Sequence, residues 1–493
     1  MEQTKKKNKI LFISDHPLCT SGVGVQSRML IEGLLRTGKY SFKCLGGAIK
    51  HEKYDTIAVN ADFIIKPVDG FGTRESLRQL LITERPDAIV IFTDPRQFVW
   101  LWEIEDEIHQ VCPIAYWHVW DNDPYPKFNE IWYESTDVIN CLSYKTYEMV
   151  HEHFPNKTNY IPHAFPHELY RPLPKDSVKQ IRDQHFGERS NWQIGLWVNR
   201  NATRKMPGDV LSCFKEHLDN LEKEKGHRNS LLIMHTDPND AEGPNLIAVS
   251  EMLGIQNNVW FSTQKLDFND MNILHNITDY VINISKAEGF GLSTMISLKL
   301  GKPMIALKTG GMIRQVEDWR DGSQHGVAIE PAVRMLVGSQ MVPYIHDDHA
   351  DKKAVTQAFM TLYNMTEEEK EALAKKEMDY CEFEFGFDSM IKKWDESLET
   401  CIQKWKTAKE PRWTFDSLET KAQIQMPPRQ DSSRMPTNNG SPTVAQLAPQ
   451  EKLAIKHSEQ PVVQKVSLPN IQQKPKVNLD DIISVRSNGP KTK

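Results

Sequence analysis

The residues best suited to chemistry form one stretch, Glu288-Gly289-Phe290-Gly291-Leu292, followed by Gly301-Lys302-Pro303 and then by Gly310-Gly311. An apolar run precedes it and a helical pattern follows, so it reads as a strand–loop–helix junction. A carboxylate there can accept hydrogen bonds from sugar hydroxyls. The glycines expose backbone N–H groups, and together with the helix N-terminus these face an anion such as phosphate. Further upstream, Asn199-Arg200-Asn201-Ala202-Thr203-Arg204-Lys205 follows another apolar run. Arginine forks and a lysine point charge suit a diphosphate. A solvated basic loop would have the same composition.

Two N-terminal motifs are less specific. Thr20-Ser21-Gly22-Val23-Gly24 leads into a helical pattern over Gln26–Arg36 closed by Gly38, and its small residues would let backbone amides approach an anion. It is not a dinucleotide fingerprint, because the glycines lie too far past the strand end at Ser14 and the third glycine position is Ser27. A tight turn is the plainer reading. His118, in Trp117-His118-Val119-Trp120-Asp121, falls at the carboxyl end of a predicted strand, where open α/β sheets keep their ligands. It could bond a hydroxyl or steady developing charge; a buried structural histidine is the alternative. Trp120, Tyr125, Phe128, Trp132 and Tyr133 could stack on a sugar ring or base, or simply fill a core. Asp121-Asn122-Asp123 has the form of a metal-binding DxD, which belongs with a different fold. His346-Asp347-Asp348-His349 and Asp351 are metal-ligand types in a polar stretch, expected to be a solvated loop.

The elements that must position these residues are legible in the apolar runs. Ile10–Ser14, Ala88–Phe92, Ile114–His118, Val138–Leu142, Ile194–Val198, Leu231–His235, Val281–Ile284 and Met304–Leu307 are continuous rather than alternating. That pattern suits strands buried on both faces, hence parallel sheets covered by helices. One covering helix is predicted over Glu367–Met378, with Thr366 and Glu369 in a capping-box pattern. Repeated β-α units over about 400 residues are twice what one doubly wound sheet needs. The Pro-rich break His163–Pro174 divides them. The expected fold class is therefore α/β: two facing Rossmann-like domains with an interdomain cleft, plus a disordered C-terminal tail. Residues 1–174 are assigned to an N-terminal, acceptor-side domain and 175–385 to a C-terminal donor domain. A helix over 386–410 is expected to pack back on the first domain, and 411–493 to be disordered. That tail holds 10 of the 28 prolines and no aromatic residue after Phe415, so it cannot bury enough apolar surface to offset its ordering entropy. Within it, Leu479–Val485 is a short apolar patch through which a partner could dock.

Composition narrows the function classes. Sixty Lys and Arg against 66 Asp and Glu, a net charge of −6, argue against a chain whose whole surface binds nucleic acid or anionic membrane. Seven cysteines without a CxxC make neither a disulfide framework nor a zinc site. No run of about 18 apolar residues marks a transmembrane segment, and the expected location is cytoplasmic.

Taken together, the Glu288-Gly-Phe-Gly-Leu run, the Gly-x-Pro and Gly-Gly elements, Asn199–Lys205, the Gly-rich turn and His118 resemble the retaining GT-B glycosyltransferases known as glycosyl transferases group 1, or family 4. The resemblance spans about residues 9–400. It implies that Arg200 and Lys205 hold the donor diphosphate, with Arg204 as a helper, and that Glu288 and the backbone of Gly289, Phe290, Gly291 and Leu292 contact the transferred sugar. Gly22 and Gly24 would approach donor phosphate or acceptor, and His118 would lie near the reacting sugar. No metal and no cofactor are implied beyond the nucleotide-diphosphate-sugar donor. The acceptor is open among glycan, lipid, protein and modified nucleic acid. One departure stands out: the family has a second Glu eight positions after the first, a residue that grips the nucleotide ribose, and here it is Ile296. A non-catalytic sugar- or nucleotide-binding module and a sugar epimerase of the same fold are the alternative functions.

Overall fold

Strands whose neighbours on both faces are helices need no polar side, and that is how the apolar runs are used. In the computed structural model, which describes residues 6–408, eight strands from the first half form one sheet. They are β1 (Asn8–Asp15), β2 (Tyr40–Gly47), β3 (Ile57–Asn60), β4 (Phe63–Pro67), β5 (Ala88–Thr93), β6 (Ile114–His118), β7 (Val138–Cys141) and β8 (Thr158–Tyr160). The order is β3-β4-β2-β1-β5-β6-β7-β8, parallel except where β3 meets β4. A second sheet takes β9 (Gln193–Val198), β10 (Ser230–His235), β11 (Val259–Ser262), β12 (Tyr280–Asn283), β13 (Met304–Leu307) and β14 (Gly326–Ile329). Its order, β11-β10-β9-β12-β13-β14, is all parallel. Counted within the sheet this is 3-2-1-4-5-6, the doubly wound Rossmann order, with its switch point between β9 and β12. The protein is thus built on two Rossmann-like domains. Among the described residues no helix is long and apolar enough to cross a membrane.

Side-chain alternation splits the first sheet's core in two. Leu11, Ile13, Ile89, Ile91, Ile114 and Tyr116 pack on one face, and Ile10, Phe12, Val90, Phe92, Ala115 and Trp117 on the other. The first helix runs Gly22–Arg36, four residues earlier than the pattern over Gln26–Arg36, because Ser21 caps it by accepting from the Gly24 amide at 3.0 Å. Gly38 follows in the left-handed region at φ 73°. The Thr366–Glu369 capping box is present, but its helix continues past Met378 to Phe385. The helix Phe387–Thr407 returns to the first sheet. Trp394 lies edge-on to Trp117 at 5.1 Å, the Tyr40 hydroxyl donates to Asp395 Oδ1 at 2.6 Å, and Lys406 reaches Asp87 at 2.8 Å.

The His346–His349 stretch is not a solvated loop. It forms β16 (Ile345–Ala350), which pairs antiparallel with β15 (Pro331–Val337), and the exposed Asp351 caps the helix that follows. Asp348 is fully buried and accepts from Arg334 Nε at 2.7 Å, Asn122 Nδ2 at 2.8 Å and Thr309 Oγ1 at 2.8 Å. Burial alone would raise its pKa, but these three donors outweigh it and hold the carboxyl below its usual range. Asn122, the middle residue of the Asp-Asn-Asp run, is likewise buried and is a strut joining the two halves. Tail residues 411–493, with Leu479–Val485, lie outside the described residues.

Candidate active site

A cleft of about 830 Å³ opens at the carboxyl ends of both sheets. Pro17–Gly22 after β1 line one wall with Val119, Asp121 and His163. The loops after β9, β10, β11 and β12 line the other. Charge is concentrated over the β9–β12 switch point, where the two neighbouring strands send their connections in opposite directions and leave a crevice. After β9, a single 3₁₀ turn, Thr203–Lys205, precedes the helix Pro207–Lys225 and presents Arg204 and Lys205. After β12, the Glu288 loop leads into the helix Leu292–Leu300.

Lys205 Nζ and Glu288 Oε2 form an ion pair, with side chains only 9% and 13% exposed. Burial works to raise the Glu288 pKa, but Lys205 and Arg204 prevail and hold its carboxyl below the ordinary range. Arg204 donates to the Ala287 carbonyl at 3.2 Å and faces Asp121 Oδ2 of the opposite wall at 3.8 Å. Burial raises the Asp121 carboxyl, with Arg204 opposing. Gly291, at φ 93°, starts the Leu292–Leu300 helix without a capping side chain, so that N-terminus, with Leu292 and Ser293, opens on the cleft. Gly310 is obligatory for a different reason: a β-carbon there would come within 2.1 Å of the Glu288 carbonyl and 2.2 Å of the Asp121 carbonyl.

No protein-family model matches the chain, and no curated protein matches it. Solved structures do. Sucrose-phosphate synthase from Thermosynechococcus elongatus superposes with a TM-score of 0.61 at 13% identity, over 80% of this chain and all of that one. HepE of Anabaena, solved with UDP and glucose, gives 0.55 at 15% identity, over 80% and 100%. WaaG, a glycosyltransferase involved in lipopolysaccharide biosynthesis, gives 0.54 at 13%, over 79% and 98%. The fold is GT-B.

Within this GT-B cleft, most of the residues singled out from sequence converge. Gly22, Arg200, Arg204, Lys205, Glu288, Gly289, Phe290, Gly291 and Leu292 all line it. Their ranking changes, however. Arg200 is 60% exposed at the rim, where its guanidinium is bound to Asp240 at 2.7 Å and to Glu242 at 3.0 Å. Arg204, the lesser of the two by sequence, is half exposed but reaches across the cleft toward Asp121, beside the buried Lys205.

Two assignments are corrected. His118 does not line the cleft. It is fully buried, with Nδ1 3.0 Å from the Tyr116 hydroxyl and Nε2 2.7 Å from that of Tyr133. Burial lowers its pKa to about 3. Strand alternation is the cause: His118 shares a face with Tyr116, whereas Trp117 and Val119 point the other way. Gly24 is also outside the cleft. Its amide is used by the Ser21 cap, and a β-carbon would strike Cys19 Sγ at 2.5 Å and the His16 carbonyl at 2.7 Å, so glycine is required by packing. The candidate aromatics after Trp120 pack among themselves and with Tyr344 and His153 rather than on the cleft.

The first domain's histidine that does reach the GT-B cleft is His163, from the Pro-rich break. It packs edge-on against Phe290 at 4.8 Å and Trp117 at 4.9 Å, and burial lowers its pKa to about 3. Asp121, read in sequence only as part of a DxD, is the other residue that sequence reasoning underrated. Ile296 lines the cleft as well.

Proposed function

We propose that this protein is a retaining glycosyltransferase that moves a sugar from a nucleotide-diphosphate donor to an acceptor hydroxyl, metal-independently and in the cytoplasm. The observation that carries the reading is the meeting of Lys205, Arg204, Glu288 and an uncapped helix N-terminus in one cleft over the β9–β12 switch point. In this reading Arg204 and Lys205 hold the diphosphate, Glu288 accepts hydrogen bonds from the sugar, and Arg200 closes the rim. As the sugar–phosphate bond breaks, charge builds on the departing diphosphate. Fixed cations and helix amides already point at that position, so stabilisation needs little reorganisation. The acceptor hydroxyl bonds to the anomeric carbon on the face the diphosphate leaves, and its proton passes to a departing phosphate oxygen. The first domain's wall, with His163 in place of His118, is where an acceptor (glycan, lipid, protein or modified nucleic acid) would enter. His163, being neutral, would donate or accept one hydrogen bond there without carrying charge.

The structural neighbours support this reading through their own contents: HepE was solved with UDP-glucose, and the Escherichia coli trehalose-6-phosphate protein with UDP-2-fluoro glucose. The test is a thermal-shift screen with UDP-, GDP- and ADP-sugars, followed by mass spectrometry of products from candidate acceptors. Binding with turnover that Lys205→Ala and Glu288→Ala abolish is the expected result. Binding without turnover would make the protein a non-catalytic module. An altered free sugar nucleotide would make it an epimerase, and no binding at all would overturn the reading.

A further inference from the structure

We propose that Asp121 is a specificity-determining residue: it accepts a hydrogen bond from a hydroxyl of the transferred sugar, so that the cleft distinguishes a sugar nucleotide from the bare nucleoside diphosphate. This rests on the glycosyltransferase reading and deepens it. Among the described residues that line the cleft, Asp121 is the one carboxylate contributed by the first domain. Its side chain is 33% exposed into the cleft, and Arg204, its facing cation, is 3.8 Å away, beyond N–H···O bonding distance. Its carboxylate oxygens thus have acceptor capacity that no protein donor fills and that faces the space a ligand would occupy. A ligand hydroxyl meets that need.

Position selects the sugar over the rest of the donor. Asp121 Oδ1 would lie 2.9 Å from a β-carbon on Gly289, so the carboxylate sits directly on the Glu288-Gly-Phe-Gly loop. The other end of the cleft, over β10 and β11, is lined by His235, Thr236 and Ser262 and is the part left for the nucleoside. Charge argues the same way. Lys205 is already paired with Glu288, so a diphosphate entering beside Arg204 meets a second carboxylate of its own sign. Asp121 therefore opposes the bare diphosphate and favours a ligand that brings a hydroxyl. A site arranged to bond a hydroxyl rejects an analogue that lacks it.

Calorimetric titration of the full chain with UDP and UDP-glucose, GDP and GDP-mannose, and ADP and ADP-glucose identifies the pair that binds wild type best, and that pair is then used on variants. Asp121→Ala is expected to bind the sugar nucleotide about tenfold more weakly while binding the bare diphosphate as tightly as wild type or about threefold tighter. Asp121→Asn keeps the shape without the charge; it should tighten the diphosphate and lie between the two for the sugar nucleotide. A change of the same sign and size for both ligands, as a purely structural role would give, overturns the proposal while leaving the glycosyltransferase reading intact. A wild type that binds none of the six ligands overturns both.

Discussion

Lys205 and Glu288 lie 83 positions apart, on loops that follow two adjacent strands of the second sheet, and their side chains form an ion pair almost closed to solvent. Removing one partner leaves the other as an uncompensated buried charge, which typically costs about 3–5 kcal/mol. Lys205→Ala should therefore lower stability by roughly that amount in chemical denaturation. The double variant Lys205→Met/Glu288→Gln should recover most of it while remaining inactive. Because the Glu288 carboxyl is held below its ordinary range, that carboxylate's contribution is complete above the unfolded value of about 4.3 and is lost as pH falls through the folded value. An equal stability loss in the single and double variants would show that the charge is not the cause.

Arg204 and Arg200 differ in what already occupies them. Arg200 is neutralised at the rim by Asp240 and Glu242, whereas Arg204 has a backbone carbonyl and one distant carboxylate. Arg204→Ala should weaken binding of the preferred sugar nucleotide about tenfold, in line with loss of one charge-assisted contact. Arg200→Ala should change it by less than about threefold, the usual range for a rim charge. The reverse order in a binding titration would place the diphosphate at the rim.

Gly289 has no space for a side chain. A β-carbon would stand 2.7 Å from Val119 Cγ2 as well as 2.9 Å from Asp121 Oδ1, and Gly311, alongside, would meet the Gly289 carbonyl at 2.4 Å. Gly289→Ala should push the two cleft walls apart where the reaction is proposed to occur. Turnover is expected to fall about a hundredfold, as it does when reacting groups are misplaced by about 1 Å. The melting temperature should drop only modestly, because relief by movement toward the open cleft is available. Unchanged turnover would show that the walls need not meet.

The two histidines should separate cleanly by mutation. His118→Phe leaves the buried Tyr133 O–H without its acceptor, while the Tyr116 hydroxyl keeps its bond to the Thr93 carbonyl, and should cost about 1–3 kcal/mol for the one group left unpaired, with nucleotide binding per folded molecule unchanged. His163→Ala should weaken turnover instead. With its pKa lowered to about 3 by burial, His163 is neutral throughout the neutral range, so the pH–rate profile between about 5.5 and 8 should carry no limb from it. A limb near 6.5 that disappears in His163→Ala would contradict this.

Glu377 is wholly buried, and neither carboxylate oxygen has a hydrogen-bond partner. Burial pushes its carboxyl well above the usual range, against the opposing pull of Lys302. In the folded state it therefore keeps a proton that the unfolded chain has released above about pH 4.3, and stability falls as pH rises from there toward the folded value. Glu377→Met should be more stable than wild type at pH 8, and the advantage should shrink toward pH 4. Denaturation midpoints at the two pH values test it; an advantage independent of pH would mean that titration of Glu377 is not the cause.

What the sequence determined by itself was whatever depends on local pattern. Continuous apolar runs required doubly covered parallel strands, Thr366 and Glu369 required a helix start, and glycines with Glu288 after a strand marked a strand–loop–helix junction, which lines the cleft. Those signals lie within a few residues of what they describe. The tertiary structure alone decided which side chains face the cleft. A strand buried on both faces has no polar alternation to reveal its orientation, so β6 could not disclose that His118 turns toward Tyr116 and away from the cleft. Nor could the basic loop show that Arg200 is met by Asp240 and Glu242, or that Asp121 stands opposite Gly289, since each partner arrives from a distant segment. Short-range chemistry is written in residue order, but electrostatic pairing and strand parity exist only once the two sheets have formed and faced each other.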